Sequence, residues 1–320
     1  HRLIRRQRQM CIRDRSKNRI SGIFYGLAAG YILYGLVFSY HITTHDYYHM
    51  PMIIPVAAGL GLLLDELMAD WGHFEHNRQS LRVVDYLEHP YPRFRGLNLT
   101  RVVRECIARH ESRYDAPACD EFDTSLAAPL EGQIVNIADE IAYTSADLED
   151  ALAAEWISLD QLEGLSLWRR AWAKAKTDMP DARTIHKRIR ACKGVLAAMA
   201  DDIVIHSAEQ IHSRGIDSPD AARYAGSGCI TFSGEIATGA RQMQEFLHAN
   251  VYCHPANIEQ ARRGGRIIRD LFSAYVSDES LLPERYRRRI ETDGLYRVAC
   301  DYIAGMTDRF CRQEHERICT

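Results

Sequence analysis

The chain has 320 residues, 46% hydrophobic and 26% charged, with a formal net charge of −3. That balance suits one large or two ordinary globular domains, and it carries no basic field of the kind that draws nucleic acid. Nine cysteines are present, an odd number, with no pair at the spacing of a zinc knuckle. Free thiols in a reducing cytoplasm are therefore expected. Fourteen histidines leave room for a histidine–carboxylate metal site.

In chain order, the first elements are the least regular. Residues 1–19 are strongly basic, with Arg2, Arg5, Arg6, Arg8, Arg13, Arg15, Lys17 and Arg19. The run Arg5 to Ser16 reads as the translation of a sequencing adapter, so residues 1–15 are set aside as a scar. Residues 16–64 then form an atypical hydrophobic segment, out of frame or chimeric. The alternative takes Ile20 to Tyr40, which has no charged side chain, as a real membrane or core helix with a positive flank.

From Asp65 onward the pattern is helical. The expected elements are Phe74 to Glu88, closed by His89-Pro90-Tyr91-Pro92; a helix capped by Thr100; and Leu130 to Asp150, apolar at Ile134, Ile137, Ile141 and Leu148. Ser158-Leu159-Asp160-Gln161 reads as a capping box for Leu162 to Lys176. Ala182 to Ser213, Ser233 to Ala249, Ala256 to Tyr275 and Asp293 to Glu316 complete the helices. Gly228 to Phe232 is the single strand candidate. The expectation is an all-α fold: one helical domain over residues 65–320 with C-terminal elaborations.

Chemistry concentrates in Ile134 to Asp150. Residues four apart on a helix lie nearly above one another, so Asp139, Tyr143 and Asp147 form a stripe of carboxylate, ring and carboxylate. From spacing alone a solvated acidic face with a half-buried tyrosine is the commoner outcome. The segment Ala138-Asp139-Glu140-Ile141-Ala142-Tyr143, leading into Asp147-Leu148-Glu149-Asp150, resembles a signature of the HD-domain dNTP (deoxyguanosinetriphosphate) triphosphohydrolases. Phe74 to Arg82, Gly96 to Thr100 and Asp301 to Phe310 resemble three further stretches of that family, in the same order.

The resemblance implies an HD-domain helical fold and a divalent metal, Mn²⁺ or Mg²⁺ or another transition metal. It implies hydrolysis of a dNTP to deoxynucleoside and inorganic triphosphate by a cytoplasmic homo-oligomer. By position, Asp139 matches the distal metal ligand, Tyr143 the ring against the deoxyribose, and Asp147 the acceptor of the 3′-hydroxyl. The family's remaining ligands lie in a His-Asp-x-x-His-x-Pro-Phe-Gly-His-x-Gly-Glu run with another histidine upstream. Here His45-Asp46-Tyr47-Tyr48-His49-Met50-Pro51 is the only echo, making His45 and Asp46 the candidate ligands. Met52 replaces the phenylalanine, no Gly-His-x-Gly-Glu follows, and the family's catalytic His/Glu dyad is not found. Arg262, Arg263 and Arg266 are candidates to face the triphosphate. Two functions follow: a triphosphohydrolase, or a nucleotide-binding, oligomer-forming subunit without turnover. A membrane-anchored helical protein is the third, if Ile20 to Tyr40 is a span.

Overall fold

The structure, a computed structural model, describes residues 61–111, 121–226 and 228–319. The adapter-like run, the apolar segment Ile20 to Tyr40, and His45 and Asp46 all lie outside the described residues. The described residues are mostly helical and contain no strand; residues 228–232 are coil and bend rather than the expected strand. Glycines flank Ser227 on both sides, and Gly226 and Gly228 take positive φ, which bends the chain away from an extended path. No described helix is long and apolar enough to cross a membrane.

The first described helices are short and tightly capped. Helix α1, His76–Arg82, starts where the Glu75 carboxylate accepts from the backbone N–H groups of Asn77 and Arg78, both at 2.8 Å. It widens into a π turn, Val83–Leu87, and so stops short of the expected Glu88. Thr100 caps α2, Arg101–Ala108, as its sequence position suggests. Between them, Gly96 holds φ at 77°, and its N–H donates to the Glu88 carbonyl at 2.7 Å. A Cβ there would overlap the Asp85 carbonyl. Gly96→Ala is therefore expected to cost at least about 2 kcal/mol, measured by urea unfolding, because both φ and space forbid the methyl. A loss below about 0.5 kcal/mol would show that the turn relaxes freely.

Five longer helices follow: α3, Leu130–Ala153; α4, Ser166–Asp178; α5, Thr184–Ser213; α7, Gly234–Leu247, which runs into a second π turn, His248–Tyr252; and α8, Pro255–Ser277. A short α6, Pro219–Tyr224, lies between α5 and α7. The Ser158–Gln161 box does form, with the Ser158 N–H donating to Gln161 Oε1 at 2.8 Å. It precedes a 3₁₀ turn, Asp160–Leu162, so α4 begins four residues later than expected. The expected single helix over Asp293 to Glu316 is two helices: α9, Leu295–Ala304, and α10, Asp308–Cys319, with Thr307 capping the second. Gly305 ends α9, because a residue with no side chain gives little to hold a helix together.

Two separate apolar cores result. The first joins Ile141, Leu148 and Leu152 of α3 to Trp168 of α4, Cys192, Val195 and Met199 of α5, and Met243 and Leu247 of α7. Gly239 lets α7 approach α4 closely; a Cβ there would sit 2.7 Å from Leu167 Cγ. The second core joins Leu63, Leu64 and Met68 to Ile268, Leu271 and Tyr275 of α8 and to Val298 and Ile303 of α9.

Candidate functional site

The stripe on α3 runs from water into the protein. Asp139 is exposed, Tyr143 is half-buried, and Asp147 is 7% exposed. This gradient arises because the apolar face of α3 docks against α5 and α7, and the stripe sits at the rim of that contact. The exposed Asp139 and half-buried Tyr143 match the solvated acidic face expected from spacing alone, and the buried Asp147 departs from it.

Each member of the stripe meets a residue from elsewhere in the chain. Beside Asp139 stands His110, just past the end of α2, with Nε2 3.8 Å from Asp139 Oδ2. The other ring nitrogen, Nδ1, lies 2.7 Å from Oδ1 of Asn136, one turn before Asp139 on α3. With that oxygen accepting, Nδ1 carries the proton and Nε2 faces the carboxylate. Tyr143 accepts a hydrogen bond on its hydroxyl from Gln244 Nε2 at 3.4 Å. Asp147 accepts from the Tyr252 hydroxyl at 2.5 Å.

Burial pushes the Asp147 carboxyl up to about 6; the Tyr252 hydrogen bond opposes this and the nearby Asp150 charge adds to it. A carboxylate that titrates near neutrality beside a ring and a hydroxyl is a recognisable binding feature, since it can accept a hydrogen bond from an incoming hydroxyl.

His110, Asn136, Gln244 and Tyr252 were not singled out from the sequence. A signal was present for two of them: Gln244, His248 and Tyr252 repeat at the same four-residue spacing as Asp139, Tyr143 and Asp147. The π turn at His248–Tyr252 presents the end of that second stripe to Asp147. His110 carries no local signal, because only the packing of α2 on α3 brings it to Asp139.

The donor set decides how far a metal can be read here. Among the described residues no three His, Cys, Asp or Glu side chains converge on one point. Asp139 with one imidazole is fewer donors than a divalent cation needs. The described residues therefore do not fit a metal by themselves, and no step is routed through one. Arg262, Arg263 and Arg266 are exposed on α8, and Arg266 faces Glu259 at 3.5 Å.

The motif stretches at the two ends of the domain do come together. Arg82 donates from Nε to both Asp301 oxygens, at 2.9 and 3.1 Å, and Gln79 Nε2 donates to Oδ1 at 3.1 Å. Arg82 also reaches Asp293 at 2.6 Å. The Asp301 side chain is fully buried.

Residues 230–317 match the phosphohydrolase-associated domain. Deoxyguanosinetriphosphate triphosphohydrolase-like proteins align over most of the chain. The one from Geobacter sulfurreducens is 38% identical over 259 residues, 80% of this chain and 67% of its own length. The one from Geobacter metallireducens is 39% identical over the same shares. The one from Bordetella pertussis is 34% identical over 278 residues, 86% of this chain and 72% of its own. At that identity over that span, the chain belongs to the deoxyguanosinetriphosphate triphosphohydrolase-like family of phosphohydrolases.

Proposed function

We propose that the protein binds a deoxynucleoside triphosphate and hydrolyses it to deoxynucleoside and inorganic triphosphate. The observation that carries this reading is the meeting of Tyr143 and Asp147 with Gln244 and Tyr252 at the partly buried rim of α3. In it, the Tyr143 ring lies against the sugar and leaves no room for a 2′-hydroxyl. Asp147, held in place by Tyr252, accepts from the 3′-hydroxyl. The Gln244 amide holds the Tyr143 hydroxyl, so the ring acts as a fixed wall rather than a moving one. Asp139 faces water beside His110, where the phosphate end and any cation would lie; Asp139 and His110 alone are too few to hold such a cation. Assembly as a homo-oligomer belongs to the same proposal.

The test is a product assay on dGTP with Mn²⁺ or Mg²⁺. Inorganic triphosphate is the expected product; pyrophosphate or free phosphate alone would overturn the reading. Asp147→Ala is expected to lower affinity for deoxyguanosine about tenfold or more, the loss of one hydrogen bond to a charged acceptor. An unchanged affinity would remove Asp147 from the sugar site.

A second reading is favoured by the short donor set around Asp139. In it the chain binds the dNTP without turning it over. It predicts a rise in melting temperature with dGTP and no product of any kind.

A further inference from the structure

We propose that the buried Asp301 carboxylate positions the His110 imidazole beside Asp139, acting through helix α1. The two groups are 191 positions apart in the chain, and α1 is tied at both ends. At its C-terminal end Gln79 and Arg82 are held by Asp301, with Arg289 donating to the same carboxylate at 3.4 Å. At its N-terminal end Asn77, 3% exposed, donates from Nδ2 to the His110 backbone carbonyl at 2.8 Å. His110 in turn has its ring fixed by Asn136 and aimed at Asp139.

Three features make this a positioning device rather than a set of unrelated contacts. First, α1 has seven residues, so its anchor points sit on one helical segment just under two turns long. Second, among the described residues no apolar core spans the same gap. The Asp301 side belongs to the core of α8 and α9, whereas Asp139 rides on the helix that builds the core of α3, α5 and α7. Third, the anchors are directional. A guanidinium fork on a buried carboxylate and a buried amide on a carbonyl fix position and angle, which apolar packing does not. Helix α1 therefore carries geometry from α9 to the end of α2. The link is a property of the fold and does not depend on which nucleotide the cleft accepts or whether it is hydrolysed.

The experiment reads the His110 ring directly. Histidine ring ¹H–¹³C spectra of the full chain are recorded for the parent, Asn77→Ala, Asp301→Asn and the double variant, with His110→Gln identifying the His110 signal. His315, which pairs with Asp270 at 2.9 Å on the C-terminal core, is the internal control. Each single variant is expected to displace the His110 signal more than the His315 signal. The double variant is expected to displace it no further than the larger single one, since both act through one path. If Asp301→Asn does not fold, Gln79→Leu, which removes one bond to Asp301 and keeps the ion pair, takes its place. A His110 signal that stays put while His315 moves marks a purely structural role and overturns the proposal. Displacements that add in the double variant overturn it as well. Because deoxyguanosine affinity is measured separately, a failure of the proposed function leaves this result standing.

Discussion

Asp147→Asn is expected to make the protein more stable at neutral pH while weakening deoxynucleoside binding. The carboxyl titrates near 6 in the folded protein, pushed up chiefly by burial, against an ordinary value of 3.8. The sign follows from linkage: the native state binds the Asp147 proton more tightly than the unfolded chain does. Below about pH 4 both states are protonated and the residue is neutral to stability. As pH rises from 4 to 6 the folded protein loses ground, and above 6 the full penalty stands. A shift of about two units corresponds to about 3 kcal/mol, which asparagine avoids while its Oδ1 still accepts from Tyr252. The melting temperature of Asp147→Asn is expected to exceed the parent's by several degrees at pH 8, and the gap to close toward pH 4. A gap that is absent, or that widens on acidification, would show that Asp147 is not held in a state that disfavours its charge. Retention of such a carboxylate is the usual sign of stability surrendered for function.

Arg82→Met is expected to cost about 3 kcal/mol of folding free energy, read as a fall in urea midpoint at unchanged slope. Methionine matches the stem of arginine but leaves Asp301 charged inside the protein and takes a 2.6 Å partner from Asp293. Gln79 and Arg289 remain on Asp301, which holds the loss near the lower end of the range for a broken buried pair. Arg82→Lys is expected to rescue only part of it, because an ammonium cannot reproduce the fork that meets both Asp301 oxygens. A loss under about 1 kcal/mol for the methionine variant would mean that water reaches Asp301 readily.

How much of this was legible in the sequence depends on how local the cause was. The Thr100 cap, the long α3 and α5 helices and the Asp139–Tyr143–Asp147 stripe all follow from spacing within one helix, and they stand where spacing puts them. The two π turns were not legible. Val83–Leu87 and His248–Tyr252 contain neither glycine nor proline, so no residue in them marks the widening in advance. The break at Gly305 was missed because the apolar period of α9 carries on in phase into Phe310 and Cys311. The site partners His110, Gln244 and Tyr252 are long-range in sequence, and nothing in a single chain's pattern pairs residue 110 with residue 139. The Phe74 to Arg82 and Asp301 to Phe310 stretches stood out by resemblance, but their purpose became visible only when Arg82 met Asp301.

The separation of the two apolar cores bears on how this protein yields under stress. Each interior is sealed by its own helices, and the short helix α1 meets the second of them through the buried Asp301 carboxylate. Freeing α1 from Asp301 would bring a buried charge and its amide partner into water with no apolar gain to offset it, which makes this a costly motion. A chain built this way has a joint made of polar chemistry, and because its carboxylate is sealed from solvent, added salt weakens the exposed surface pairs before it reaches the joint.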